Sequence, residues 1–282
     1  MSNALKTTAL LGVLTGLLLW VGQLLGGTQG LMLALVFAAV MNLGTFWFSD
    51  RIVLAMYRAR PLSESDAPEL FRIVRELAVG AHMPMPRVYM IPTDSPNAFA
   101  TGRSPEHAAV AVTEGIMRIL TSEELRGVLA HELSHVKNRD TLISAVAATL
   151  AGVVMMVARM AQWAAIFGGM RRDERDEGGG AIGFLLTIIV APIAAMLIQM
   201  AISRAREYQA DATGAQLSHD PEALASALQK IAVQSGRIPL DAGPATAHLW
   251  IVNPLRGQWL ATLFSTHPPV EERIRRLRSM AH

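Results

Sequence analysis

Residues Thr7 to Ser49 read TTALLGVLTGLLLWVGQLLGGTQGLMLALVFAAVMNLGTFWFS, 43 positions without Asp, Glu, Lys, Arg or His. A helix rises about 1.5 Å per residue and needs roughly 20 residues to cross a 30 Å hydrocarbon core. The run therefore accommodates two crossings and not one, with Gly26-Gly27-Thr28-Gln29-Gly30 as the turn between them. A cleaved signal peptide is the competing reading, but it has a shorter apolar region and no second apolar helix directly behind it. The pattern predicts a transmembrane hairpin over residues 4–49.

The rest of the chain agrees with a membrane class. Of 282 residues, 51% are hydrophobic and 17% charged, where a soluble domain carries about a quarter charged. The net charge of +2, from 25 Lys and Arg against 23 Asp and Glu, leaves no basic footprint for nucleic acid. There is no cysteine, so disulfides and thiolate metal sites are excluded and any metal must sit on histidine and carboxylate.

Two further apolar stretches run from Thr141 to Ala158 and from Gly178 to Ser203, 18 and 26 residues without a charge. Arg171-Arg172-Asp173-Glu174-Arg175-Asp176-Glu177 separates them. Arg51, Arg58 and Arg60, then Lys137 and Arg139, then Arg204 and Arg206 flank the apolar segments, whereas residues 26–30 carry no charge. By the positive-inside rule, residues 50–140 and 204–282 face the cytoplasm. The arginines at 171–175 fit export poorly, so the pair at 141–203 either crosses fully or dips into the bilayer and returns.

The two cytoplasmic pieces predict a compact, mainly helical domain with a small sheet. Asp66 with Glu69 has capping-box spacing ahead of Leu70, Ile73, Val74 and Leu77. Arg87–Ile91 and Ala109–Thr113 read as strands around Asn97-Ala98-Phe99-Ala100-Thr101-Gly102, which suggests an antiparallel sheet. Thr121 with Glu124 caps a helix that runs into His131, and Asp220-Pro221 starts another that Gly236 ends.

His131-Glu132-Leu133-Ser134-His135 carries the chemistry. Histidines four apart share a helix face and converge on one metal, while Glu132, rotated about 100°, reaches water instead. A catalytic site needs a third protein ligand. In Glu207-Tyr208-Gln209-Ala210-Asp211, Glu207 and Asp211 share a face, so Glu207 is the candidate ligand and Asp211 the acceptor from a ligating histidine. The plainer alternative is a solvated turn beside a membrane segment. Asp140 is a weaker candidate for the same orienting role, or a helix-end charge. His131 and His135 precede the second apolar pair and Glu207 follows it, so the three meet only if the chain returns to the side it left.

These residues resemble the HtpX family of membrane metalloproteases, relatives of the prenyl-protein CAAX endopeptidases. The similarity takes in the amino-terminal hairpin, Asn97–Gly102, the His131–His135 motif with Asp140 and Arg204–Asp211. It extends to Ala245-Thr246-Ala247-His248-Leu249-Trp250-Ile251-Val252-Asn253-Pro254 and Ser265-Thr266-His267-Pro268-Pro269. The resemblance implies a multi-pass zinc endopeptidase of the inner membrane, one Zn2+ per chain, acting on unfolded or damaged membrane proteins in quality control and the stress response. It also implies that Asn97, Ala98, Phe99, Ala100 and Thr101 form an edge strand for substrate, and that His267 either steadies the oxyanion or caps the last helix. His248 has a weaker case for such a role. The rival readings are a non-catalytic metal-binding scaffold or transporter, and a CAAX-type endopeptidase on lipidated proteins.

Overall fold

The computed structural model describes residues 3–149, 204–238, 246, 249–252 and 268–280 of the chain. Most of the second apolar pair, the charged stretch 171–177, His248 and His267 lie outside the described residues.

Helix α1 spans Asn3–Met56 but does not run straight. Gly27 takes φ 54°, a left-handed conformation that glycine adopts without steric cost. Across it, Asn42 Nδ2 donates to Thr15 Oγ1 at 2.8 Å, although 27 residues separate them. A straight helix would set those positions about 40 Å apart, so the chain folds back at the glycines. Among the described residues, one helix, the 30-residue Gly27–Met56, is long and apolar enough to cross a membrane. Its apolar side chains point outward, with Leu33 73% and Val36 64% exposed.

Next come β1 (Arg60–Pro61), α2 (Pro68–Gly80), β2 (Arg87–Ile91), β3 (Ala98–Thr101) and β4 (Ala109–Thr113). The sheet order is β1-β2-β4-β3. β4 runs parallel to β2 and antiparallel to β3, so the sheet is mixed and not antiparallel throughout. The reason is the length of the β2–β4 connection: a parallel pair needs a dozen or more linking residues, and here the link contains β3, which lies on the outer side of β4. Helix α2 also differs from the sequence reading. It starts on Pro68 with no side-chain cap, while Asp66 accepts from the N–H and hydroxyl of Ser63 and Glu69 pairs with Arg72. Proline at the first helical position needs no cap for a donor it lacks.

Helices α3 (Glu114–Ile119), α4 (Ser122–Lys137) and α5, described over Asp140–Thr149, follow, and α5 is the start of the apolar stretch that begins at Thr141. Then α6 (Arg204–Ser218), α7 (Pro221–Ser235) and α8 (Val270–Met280) complete the described fold. The core joins one face of the sheet, through Val88, Ala98, Val110 and Val112, to α2, α4 and α7, through Leu70, Leu129 and Leu228. A smaller cluster on the other face packs Phe99 and Trp250 against Val53 and Leu54 of α1. Asp50 of α1 pairs with Arg87 of β2 at 2.6 Å, so the hairpin is tied to the sheet by charge as well as packing.

Candidate metal centre

Helix α4 is started firmly. Thr121 accepts from the Glu124 N–H and Glu124 accepts from the Thr121 N–H, a complete capping box. Its inner face meets α6 closely because Gly214 has no side chain. A Cβ there would stand 2.8 Å from the His131 nitrogen and 2.9 Å from its Cα. That approach brings Glu207 and Asp211, one helical turn apart, onto the two histidines.

His131 Nε2 and His135 Nε2 lie 3.3 Å apart. Glu207 presents one oxygen 3.8 Å from His131 Nε2 and the other 3.6 Å from His135 Nε2. One donor atom from each of the three falls within 4.8 Å of the others. Two imidazole nitrogens converge 3.3 Å apart beside a buried carboxylate, a cluster of lone pairs that a shared proton or a cation draws together. Two nitrogens and one oxygen also match the donor set of a catalytic zinc. The residues fit the ion.

Each histidine is oriented from behind. His131 Nδ1 lies 2.9 Å from Asp211 Oδ1, and His135 Nδ1 lies 3.4 Å from Asp140 Oδ2. Holding Nδ1 leaves Nε2 aimed at the shared point. Asp140 in turn meets Arg206 Nη1 at 3.3 Å. The sequence reading named both acids but missed Arg273. This residue of α8 is 1% exposed and holds Asp211 in a fork, Nε at 2.9 Å and Nη2 at 2.7 Å.

The electrostatics follow from burial and these pairs. Burial pushes His131 down to about 4, with Asp211 pulling the other way. Burial also opposes charge on His135, but Glu207, Asp140 and Glu132 outweigh it and push it up to about 9. Burial pushes Glu132 up to about 8, and Glu207 adds to the effect. For Asp211, burial is outweighed by Arg273, which holds its carboxyl well below the usual carboxylate range. Metal ligation requires neutral imidazoles, so a divalent ion competes with protons here, most of all at His135.

Glu132 is buried and accepts the Ala100 N–H at 2.9 Å through Oε2, so β3 lies directly against it. Asn97, Ala98, Phe99, Ala100 and Thr101 are all buried, so this stretch is a strand of the core and not a surface loop. Its outer edge also touches the chain itself, at Ile251 and Val252.

The sequence model of "Peptidase family M48" matches residues 64–281. The chain is 65% identical over 282 residues to a protease HtpX homolog of Syntrophobacter fumaroxidans, covering 99% of this chain and 100% of that one. It is 57% identical to a protease HtpX homolog of Pyrococcus furiosus, covering 98% and 95% of the two chains. The crystal structure of S. mikatae Ste24p superposes with a TM-score of 0.52 at 18% identity, a likeness of fold. That match covers 98% of this chain and 65% of the larger Ste24p chain.

Proposed function

The chain belongs to peptidase family M48 and is a metalloprotease; on that premise we propose that its metal is zinc, held by His131, His135 and Glu207. The observation that carries this reading is the facing pair of imidazole nitrogens 3.3 Å apart beside the Glu207 carboxylate. Bound zinc supplies Lewis acidity toward a peptide carbonyl and toward water.

The chain's own residues do the rest. Glu132 is the base. It is not among the three ligating groups, and its raised affinity for a proton suits a group that accepts one and then gives it up. It takes a proton from the attacking water and passes it to the leaving amine nitrogen, so no acyl-enzyme forms. Asp211 and Asp140 hold the ring orientations, and Arg273 holds Asp211 charged in a buried setting. His267 remains the proposed oxyanion donor. The main chain of Asn97 to Thr101 receives substrate as an added strand, a mode that reads extension more than side-chain identity. Extended segments of misfolded or damaged membrane proteins are the substrates such an edge suits.

The membrane setting extends the proposal. The hairpin over residues 4–49 makes two passes of the inner membrane, the pair at 141–203 crosses fully or dips in and returns, and the arginine-flanked ends argue for a site on the cytoplasmic side. Single cysteines introduced into this cysteine-free chain test that orientation. In intact cells an impermeant thiol reagent should label position 28 and leave position 97 unlabelled. For the metal, elemental analysis of purified protein should give about one zinc per chain. Chelation should abolish cleavage of an unfolded polypeptide and zinc should restore it. Full activity in protein stripped of metal would remove the zinc reading.

A further inference from the structure

The edge of β3 beside the metal centre is taken by the chain itself. In β3 the groups of Phe99 and Thr101 face β4, since Phe99 is in register with Ala111 and the Asn97 carbonyl accepts from Thr113. The alternating residues Ala98 and Ala100 therefore turn their N–H and C=O outward. The Ala98 carbonyl accepts the Ile251 N–H at 3.2 Å, and the Ala100 N–H is held by Glu132.

The segment that makes this contact has its whole main chain satisfied at two consecutive residues. Arg273 Nη1 donates to the Ile251 carbonyl at 2.7 Å. Asn97 closes a two-way bridge with Val252, donating Nδ2 to its carbonyl at 2.9 Å and accepting its N–H on Oδ1 at 3.4 Å. Leu249, Trp250 and Ile251 also wall the cavity that His131, Glu132, His135 and Glu207 line, and that cavity has a volume of only about 30 Å³. Such a space has room for about two water molecules. It does not admit a peptide.

We infer that Trp250-Ile251-Val252 is an internal pseudo-substrate strap, which occupies the peptide-binding edge of β3 and must withdraw before an extended polypeptide can lie there. The inference rests on the reading of Asn97 to Thr101 as the substrate strand. Three of the four bonds on Ile251 and Val252 come from the side chains of Asn97 and Arg273 and one from the β3 main chain. An incoming peptide's own main chain can take over each of them, so an extended substrate competes with the strap for the same partners. What opposes withdrawal is the aromatic cluster: Trp250 is fully buried, its ring 5.0 Å from Phe99 and 4.7 Å from Tyr57. The resting enzyme is therefore closed, and an extended chain that fills the edge opens it.

Hydrogen exchange on the full-length Glu132→Gln protein tests this, with reduced, carboxymethylated casein as an unfolded probe that the variant does not cleave. Casein is supplied above the KM that wild type shows for cleaving it. Amides in the peptide covering residues 249–252 should exchange on the order of tenfold faster with casein than without it. Wild-type cleavage of casein with unchanged or slower exchange at 249–252 would overturn the strap while leaving the peptidase reading intact. Failure of zinc-loaded wild type to cleave casein would overturn the peptidase reading and the strap with it.

Discussion

The two histidines of the metal cluster sit in unequal surroundings. On the His131 side, the imidazole is 1% exposed, its carboxylate partner stands at 2.9 Å, and Arg273 clamps that carboxylate through two nitrogens. On the His135 side, the imidazole is 16% exposed, Asp140 stands at 3.4 Å and Arg206 reaches it at 3.3 Å. Burial dominates the first and lowers its proton affinity, while carboxylates dominate the second and raise it. The first side is a rigid mount. The second is looser, and it is where protons compete hardest with a metal.

Removing Arg273 should break this contrast most severely. Arg273→Ala leaves the buried Asp211 carboxylate without its cationic partner, a loss of about 3–5 kcal/mol, to be read as a lowered midpoint in denaturant titration. Unchanged stability would mean that the clamp is not what holds Asp211. Next, Asp211→Asn should weaken zinc affinity or activity by about 10–100-fold, the usual effect of losing an orienting carboxylate. Asp140→Asn should cost clearly less, and equal losses would erase the distinction between the two sides. Gly214→Ala probes the close approach of α6 to His131. The added methyl meets backbone and not a flexible side chain, so about 1–3 kcal/mol of stability should be lost, with activity falling through displacement of Glu207 and Asp211.

The smallest effect concerns the far end of α4. Burial opposes charge on Glu124, but Lys230, Ser226 and the Thr121 N–H outweigh it and hold its carboxyl below the usual glutamate range. A depressed carboxyl contributes stability that is fully present above its unfolded pKa and is lost as pH falls through the folded one. Acid titration of unfolding should therefore show a shallower decline below about pH 4.5 in Glu124→Gln than in wild type. Parallel curves would remove this contribution.

Much of the site was legible because helical spacing is rigid. His131 with His135, and Glu207 with Asp211, each lie four residues apart and must share a face, and a shared metal requires both helices on one side of the membrane. Arg273 was hidden by its company. Among Arg275, Arg276 and Arg278 it reads as one more solvated charge, although position 273 shares a face with Val270, Ile274 and Leu277, and that was the available signal. Sheet order was not legible because alternation shows which residues make strands and not which strands are neighbours. Asp66 misled because a capping-box spacing carries no information about the proline at 68 that replaces the cap. The contact of Ile251 and Val252 with β3 joins residues more than 150 positions apart, and no local pattern encodes it.

Glu132 is proposed to move the proton and not to hold the metal. Glu132→Gln keeps the shape of the side chain, the three ligands and the contact with the Ala100 N–H, and removes only the proton acceptor. Zinc content and cleavage of an unfolded polypeptide should be measured side by side in wild type and variant. Zinc should be equal in the two, about one per chain, with kcat lowered on the order of 10³-fold or more in the variant. Turnover within a few-fold of wild type at equal zinc content would contradict the proposed role of Glu132.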